Sequence, residues 1–295
     1  MSNEITTTEL TEPLSTLGAD GDAQLIDLWL HGRSLATQRS YRAAVERFLL
    51  RVSKPLHAVT LADLQDWSDC LDASRLQPAT RRRLLASLKS LFAFGHRLGY
   101  LPFDTARPLR LPMLRDTLAE RILEESLLLR MIALEPLPRN AAILALLYGG
   151  GLRISELVGL RWRDVQARSE GRGQVTVFGK GGKTRVVVVS ATVFSRITAL
   201  RSGAGDDDAV FGSRKKRGHL NPSHVLRLTK KAAKRAGIAR NVRNHDLRHC
   251  HASHSLERGA PISLVMATLG HSSIATTGHY LHARPGESSG RFLPL

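Results

Sequence analysis

Apolar residues recur every three or four positions through the first third of the chain, as they do on one face of an α-helix. The pattern divides into four segments, at residues 23–30, 37–51, from Thr60 onward, and 78–98. Thr60 is a good N-cap and is followed three residues later by Asp63, which predicts a capping box. Residues 1–22 lack this periodicity and are rich in Thr and Glu, so we predict a disordered leader there. The sequence therefore predicts an N-terminal four-helix domain over residues 23–108.

The pattern changes after Pro108. Prolines punctuate the following stretch, and we predict a linker at residues 109–118. Helical patterns return at 119–169, at 223–236 and across 245–280, whereas two β-rich runs at 174–190 flank the sequence GKGGK and predict a hairpin. A second domain is thus predicted over residues 119–295, mainly α with a small antiparallel β-sheet, ending in a tail at 281–295.

The charge of the chain points to a polyanionic partner. Forty-three Lys and Arg residues against 26 Asp and Glu give a net charge of +17. A chain this basic usually binds nucleic acid, although charge alone fits an anionic membrane as well. The longest apolar run, at 141–147, is far below the roughly 20 residues that span a bilayer, so no spanning segment is predicted. Of the two polyanions we expect nucleic acid as the partner, and no membrane. Cys70 and Cys250 are the only cysteines, which favours a reducing, cytoplasmic compartment.

The stretch from His245 to Tyr280 carries the most specific chemistry. Arg248 offers a planar fork of donors that fits a phosphate bidentately, and His245 lies one helical turn earlier on the same face. His271 follows a glycine and is expected at a turn, where its imidazole can point into a cleft. Tyr280 offers a hydroxyl nucleophile. Ionising a free tyrosine at pH 7 costs about 4 kcal/mol, so attack on a phosphodiester would require further cations around the phosphate.

Two further cations are available upstream. Arg153 follows a triple glycine at the start of a helical pattern, where it could complete a clamp on the phosphate. Lys180 stands in the predicted hairpin tip and could donate a proton to the departing 5′ oxygen. Lys183 in the same tip is the rival for that role.

These five motifs resemble the tyrosine recombinases, the family of the phage integrases and the Xer-type chromosome-resolving enzymes. The resemblance rests on Arg153 in GLRISEL, Lys180 in the hairpin, His245-x-x-Arg248, Gly270-His271 and Tyr280, in family order and spacing over about half the chain. It implies a SAM-like core-binding N-terminal domain and a tyrosine-recombinase catalytic domain. The N-terminal part matches only in general pattern.

The resemblance also implies a role for each residue. Tyr280 would form a 3′-phosphotyrosine while Arg153 and Arg248 hold the scissile phosphate. Lys180 would be the general acid, and His245 and His271 would move protons and bond the phosphate. Glu156 matches the accessory acidic position that orients the active-site cations. Neither metal nor ATP is implied, because the phosphotyrosine bond conserves the energy of the broken backbone bond.

The implied activity is site-specific recombination of duplex DNA through a Holliday junction, closer to the Xer subtype than to larger integrases. The partners would be a specific double-stranded DNA site and three further protomers, either identical or from a second recombinase, on nucleoid DNA in the cytoplasm. Two alternatives remain open: a type IB topoisomerase, which shares the chemistry, and a catalytically silent DNA-binding regulator on the same fold.

Clusters of basic residues provide candidate DNA contacts outside the catalytic motifs. We predict phosphate contacts for three residues that open the fourth helix and four that line a helix at 223–236, although a solvated face is the commoner role of a charge run. They are Arg81, Arg82, Arg83, Arg227, Lys230, Lys231 and Lys234.

Two other motifs are rejected. GGKT at 181–184 resembles the end of a nucleotide-binding loop, but its first glycine is missing and VVVV follows where a helix should begin. The histidines near Arg248 could suggest zinc, but HExxH and a cysteine pair are absent, and the arginine would repel a cation. His249, His251 and His254 are therefore interpreted as structural or solvated.

Overall fold

A computed structural model of the chain describes residues 21–179, 182–213, 218–271 and 273–283. The chain divides into two compact units, one ending at Arg115 and the other beginning at Asp116, and this division falls inside the segment predicted as a linker. Each unit has its own apolar core. Lys180, most of the predicted leader and the tail beyond residue 283 lie outside the described residues.

The four helices predicted from periodicity are all present in the first unit. They are α1 (Asp22–Leu30), α2 (Leu35–Val52), α3 (Leu61–Ala73) and α4 (Pro78–Arg97), with a 3-10 turn at Leu56–Ala58. The predicted capping box forms at α3, where Thr60 and Asp63 bond each other's backbone amides. Hydrogen bonds from Lys54 and Thr60 hold the pKa of Asp63 at about 2, so the cap stays ionised.

The predicted leader ends one residue too late, because Asp22 already belongs to α1. Its carboxylate accepts hydrogen bonds from the Leu56 backbone amide, at 2.8 Å, and from the Tyr100 hydroxyl, at 2.7 Å. Burial and this contact raise the pKa of Tyr100 to about 12. Asp22 therefore connects the start of α1 to the 3-10 turn after α2 and to the segment after α4.

The second unit is built around α7, whose apolar run from Ala141 to Leu147 is completely buried. Helices α6, α8, α9 and α11 pack against α7. In chain order the helices of this unit are α5 (Leu118–Arg121), α6 (Glu125–Ala133), α7 (Pro138–Gly149), α8 (Ile154–Gly159), α9 (Ala191–Thr198), α10 (Pro222–Arg235), α11 (Asn244–Glu257), α12 (Ile262–Leu269) and α13 (Ile274–Ala283). Short 3-10 turns occur at Trp162–Asp164 and Ser169–Gly171.

The sheet has three antiparallel strands in the order β1 (Val165–Ala167), β2 (Gly173–Phe178) and β3 (Thr184–Val189). The predicted hairpin is β2 and β3, with Val177 opposite Arg185. Alternate valines face the core while their neighbours face outward, as the period of two requires. The sequence did not predict β1, because three residues are too few for alternation to show.

The segment predicted as one helical region, 245–280, consists of three helices. Pro261 follows α11 and cannot continue it, and Gly259 before it takes a left-handed conformation with φ of 83°. Gly270 ends α12 in the same way and sends the chain back toward α13. Within the described residues, no helix is long and apolar enough to cross a membrane.

Candidate active site

Helix α11 supplies one wall of the site. His245, Arg248 and His249 lie on one face, because positions three and four apart are neighbours on a helix. The Arg248 side chain is 1% exposed. Its guanidinium donates to the carbonyl oxygens of Gly151 and Leu269, each at 2.5 Å. Arg248 therefore joins the loop before α8 to the end of α12, and other N–H groups of its fork remain for a ligand.

Arg153 provides a second cation beside Arg248. It is the N-cap of α8, and its backbone amide donates to Glu156 Oε2 at 2.7 Å while its Nη1 donates to Oε1 at 3.0 Å. Its Nη2 lies 3.5 Å from the Gly270 carbonyl oxygen. The Arg153 side chain is 37% exposed, so it presents positive charge to solvent beside a buried arginine.

Glu156 is the buried centre of this charge network. Arg185 of β3 donates to both of its carboxylate oxygens, at 2.7 and 2.8 Å, and also donates through Nε to the Thr268 carbonyl at 2.7 Å. Burial raises the pKa of Glu156, but the hydrogen bonds from Arg185 and Arg153 outweigh burial and leave this pKa lowered. Glu156 thus orients Arg153, and Arg185 holds Glu156.

Two glycines allow these close approaches. Gly151 and Gly270 adopt φ of +59° and +64°, which side chains rarely tolerate. A Cβ at Gly151 would lie 2.7 Å from the His251 ring, and one at Gly270 would lie 3.0 Å from Arg185. The carbonyl groups that receive Arg248 and Arg153 therefore depend on glycine.

Tyr280 lies on α13 and is 6% exposed. Its hydroxyl is 2.8 Å from Nδ1 of His249. The ring of His271 lies nearly parallel to the Tyr280 ring, with centroids 6.5 Å apart, and its Nδ1 contacts Thr277 Oγ1 at 2.9 Å. Burial raises the pKa of Tyr280, although the charges of Arg248 and Arg121 act in the opposite direction. Without a ligand, the hydroxyl is neutral.

The histidines of the site are neutral at pH 7. Burial, and then the charges of neighbouring groups including Arg248, lower the pKa of His249 to about 3 and that of His271 to about 4. The pKa of His245 is lowered for the same reasons, although its side chain reaches the surface. Burial and Arg153 lower the pKa of Arg248 to about 10, so it remains protonated. Arginines therefore supply the positive charge of the described part of the site.

The other helix histidines have structural roles, as the sequence predicted. His251 Nδ1 lies 2.7 Å from the Tyr148 carbonyl oxygen. His254 contacts the Tyr148 hydroxyl and the Leu123 carbonyl oxygen, each at 3.0 Å. His249, which was interpreted in the same way, is also buried, and its Nδ1 contacts the hydroxyl of Tyr280. No group of three or more His, Cys, Asp or Glu side chains is arranged to hold a metal ion in the part of the chain that the structure describes.

The structure thus brings together Arg153, Glu156, His245, Arg248, His271 and Tyr280 from four separate segments. Lys180 cannot be placed, because it lies outside the described residues. Sequence reasoning missed two residues of the network, His249 and Arg185. The signal for His249 was its spacing of four from His245; Arg185 stands within a valine-rich strand, where a long basic side chain calls for a partner.

The predicted DNA-binding residues fall into two groups. On α4, Arg81 pairs with Asp72, Arg82 donates to the Pro112 carbonyl oxygen and Arg83 donates to the Ser40 hydroxyl. The group on α10 is exposed on one face, at intervals of three and four residues, and makes no ion pair with any described residue; it comprises Arg227, Lys230, Lys231 and Lys234. The α10 face is therefore the freer of the two basic surfaces.

Comparison with family models gives two matches. The model described as "Phage integrase family" matches residues 121–287, and the one described as "Phage integrase, N-terminal SAM-like domain" matches residues 24–99. The two matches cover both units of the chain.

Individual relatives give the same picture. A tyrosine recombinase XerC of Xanthomonas campestris is 37% identical over 70% of this chain, and the match spans 65% of the relative's length. XerC of Myxococcus xanthus is 34% identical, with 84% of this chain and 87% of the relative covered. A solved lambda integrase tetramer bound to a Holliday junction superposes with a TM-score of 0.70 at 16% identity, covering 95% of this chain and 83% of that one. At this identity, the structural likeness concerns the fold.

Proposed function

Because this chain belongs to the phage integrase family, whose named relatives are tyrosine recombinases, we propose that it is a site-specific DNA recombinase. It cleaves and rejoins duplex DNA through a 3′-phosphotyrosine and a Holliday junction. The observation that carries this proposal is the position of a buried tyrosine hydroxyl, Tyr280, in the electrostatic field of a buried arginine, Arg248, beside a second, exposed arginine, Arg153.

The two arginines bind the scissile phosphate. Arg153 reaches solvent and meets the phosphate first, and Arg248 contributes the N–H groups that the Gly151 and Leu269 carbonyls leave free. Donors fixed in place before the reaction stabilise the charge that develops on a phosphorane-like transition state. Glu156 and Arg185 fix the orientation of Arg153. His245 and His271, both neutral, add hydrogen bonds to the remaining phosphate oxygens.

Tyr280 attacks the phosphorus. Its raised pKa means that the hydroxyl does not ionise in the free protein. The phenol proton therefore leaves during attack and passes to the neutral imidazole of His245, while the arginines stabilise the charge that passes to the phosphate. The reactive phenolate therefore forms only when DNA is bound, and Tyr280 stays a neutral phenol in the free enzyme.

Lys180 protonates the leaving 5′ oxygen. Both strands that flank it are described, and Arg185 of β3 connects them to Glu156 and so to Arg153. Lys180→Ala should slow cleavage of ordinary DNA, whereas a 5′-bridging sulfur, which leaves without protonation, should restore the rate. Failure of that rescue contradicts the general-acid role.

DNA is contacted by both units. The exposed α10 face of Arg227, Lys230, Lys231 and Lys234 follows the phosphate backbone, and Arg81, Arg82 and Arg83 serve the first unit. Four protomers, identical or shared with a second recombinase, assemble on two duplexes, as the lambda integrase tetramer does on its junction. The enzyme acts on chromosomal DNA in the cytoplasm and uses neither metal nor ATP.

Covalent trapping on a nicked suicide substrate tests this proposal. Candidate sites come from DNA that is recovered bound to the protein. The wild type should form a protease-sensitive adduct at the 3′ phosphate, and Tyr280→Phe should bind the same DNA without forming it. Tight binding with no adduct in the wild type, tested alone and with a partner recombinase, would contradict the recombinase assignment.

A further inference from the structure

The contact between His249 and Tyr280 is a buried polar contact within the site. The two side chains are 9% and 6% exposed, and Nδ1 of His249 lies 2.8 Å from the Tyr280 hydroxyl. The other ring nitrogen of His249, Nε2, is buried without a hydrogen-bond partner among the described residues. Within that part of the chain, His249 is also the sole hydrogen-bond partner of the hydroxyl. Each group therefore depends on the other.

We propose that His249 is the residue that positions the nucleophile: its Nδ1 accepts a hydrogen bond from the Tyr280 hydroxyl, which keeps its proton, and so aims the phenol oxygen for attack. This inference rests on the proposed function, since it assigns Tyr280 as the nucleophile. His249 was not among the residues that the sequence motifs indicated. It stands directly after Arg248, so one turn of α11 presents both the phosphate-binding and the nucleophile-binding group.

The direction of the hydrogen bond follows from counting unsatisfied groups. If the hydroxyl donates to Nδ1, the ring carries its proton on Nε2, and one buried N–H lacks a partner. If Nδ1–H donates instead, both the hydroxyl proton and the Nε2 lone pair lack partners in the described residues. Each unsatisfied buried polar group costs free energy, so the first arrangement is favoured. It leaves the lone pairs of the phenol oxygen free for phosphorus.

His249 positions the hydroxyl rather than acting as a base. A general base works best with a pKa near the operating pH. Burial, the neighbouring His245 and the charges of Arg121 and Arg248 instead lower the pKa of His249 to about 3. The same environment keeps the ring neutral, which is the state in which Nδ1 can accept. Its contribution is therefore geometric, through the orientation of the attacking oxygen.

Two substitutions distinguish the effect of the His249–Tyr280 hydrogen bond from the effect of the bulk of the His249 ring. His249→Asn keeps an acceptor oxygen near the position of Nδ1, whereas His249→Leu keeps the bulk and removes the acceptor. At saturating DNA, adduct formation should fall on the order of tenfold or more in His249→Leu, the loss expected for one hydrogen bond, and within a few-fold of wild type in His249→Asn. DNA affinity should be unchanged in both. The control is His254→Asn, because His254 makes a comparable contact with Tyr148 on the same helix.

An exogenous nucleophile distinguishes positioning from general structural damage. In Tyr280→Phe, hydrogen peroxide can replace the phenol and attack a phosphate that the arginines still activate. Adding His249→Leu should leave peroxide-dependent cleavage within about twofold, since His249 acts only through the phenol. A structural role would lower both reactions. Equal loss in the two assays, a wild-type adduct rate in His249→Leu, or no rescue by His249→Asn would each overturn the inference and leave the recombinase proposal standing.

A readout without catalysis tests the contact itself. The ¹⁵N spectrum of the full chain should show His249 as a neutral ring with its proton on Nε2, and Tyr280→Phe should shift the Nδ1 resonance. A proton on Nδ1, or no response to Tyr280→Phe, would overturn the inference even if the wild type formed no DNA adduct.

Discussion

Arg185 and Glu156 are joined end to end by two hydrogen bonds, of 2.7 and 2.8 Å, in a buried pair whose side chains are 12% and 2% exposed. The pair lies behind Arg153 rather than in contact with solvent. It connects the β2–β3 hairpin, the start of α8 and the end of α12. Three segments that are distant in sequence are thereby held in one arrangement around Arg153.

Breaking this pair should destabilise the second unit strongly. Among the described residues, Arg185→Leu leaves the buried Glu156 with Arg153 alone to compensate its charge. Removal of one partner of a buried pair costs about 3–5 kcal/mol. Urea unfolding measures this loss, with Trp162 as reporter after Trp29 and Trp67 are replaced by Phe.

The control for Arg185→Leu is the exposed pair of Arg163 and Asp207, whose side chains are 59% and 75% exposed. Arg163→Leu should cost less than about 1 kcal/mol, since solvent screens such pairs. An equal decrease in the free energy of unfolding in the two variants would show that the buried pair stabilises the fold no more than an exposed pair does.

The variants Arg153→Ala and Arg248→Ala should lose catalytic activity to a similar extent but differ in their free energy of unfolding. Arg153→Ala and Arg248→Ala should each reduce transition-state stabilisation by about 3 kcal/mol, as the loss of one preorganised donor does. Only Arg248→Ala leaves the buried carbonyl groups of Gly151 and Leu269 without their hydrogen-bond donor. Each carbonyl left in this way should lower the free energy of unfolding by about 1–3 kcal/mol. Single-turnover cleavage and urea unfolding measure the two effects. A stable Arg248→Ala protein would contradict the structural half of this prediction.

The buried histidines predict acid sensitivity. In the native state the pKa is about 3 for His249 and about 4 for His251 and His271, against 6.5 for an ordinary histidine. Below pH 6.5 these histidines are protonated in the unfolded chain but stay neutral in the native state. The stabilisation that the neutral histidines provide is therefore complete above pH 6.5 and is lost as the pH falls toward 4. The unfolding free energy should drop by about 1.4 kcal/mol per pH unit for each histidine.

Urea unfolding at a series of pH values from 7 to 4 tests this linkage. His249→Asn removes one of the three groups, so its slope in this range should be smaller than that of the wild type by one proton. An unchanged slope would show that His249 titrates normally in the native state.

The α10 face should govern the salt dependence of DNA binding. Each phosphate contact contributes about 0.9 to the slope of log K against log salt. Lys230→Ala combined with Lys234→Ala should therefore lower that slope by about 1.8, with affinity lost alike on all DNA sequences. The control removes two positive charges that already have acidic partners, through Arg163→Ala and Arg201→Ala. An equal change in the control would mean that net charge, and not the α10 face, determines the effect.

The helices of the first unit and the hairpin could be predicted from sequence because each has a long, clean period. The strand β1 could not, since Val165–Ala167 is too short to show alternation. Of the residues predicted for the site, those that the structure describes come together on α8, α11, α13 and the turn at His271, as motif order implied, whereas Lys180 is not among them. Their roles stay predictions.

His249 and Arg185 show why the remainder of the site could not be predicted. A histidine four residues from another fits a solvated helix face, a zinc ligand or a buried contact equally well, and only the return of α13 to α11 decides among them. Arg185 follows the lysine-rich turn and would be interpreted as one more basic surface residue. Its partner Glu156 is 29 positions away, and no local pattern connects them.

Arg248 has a consequence for how such an enzyme can lose its activity. The same guanidinium that is proposed to bind phosphate also holds the Gly151 and Leu269 carbonyls, so the fold itself depends on it. Among the described residues, the Tyr280 hydroxyl makes no hydrogen bond to the backbone. A homologue that had kept this fold only to bind DNA would therefore be expected to lose the tyrosine before the arginine. The presence of the arginine alone is then poor evidence that such a homologue is an active enzyme.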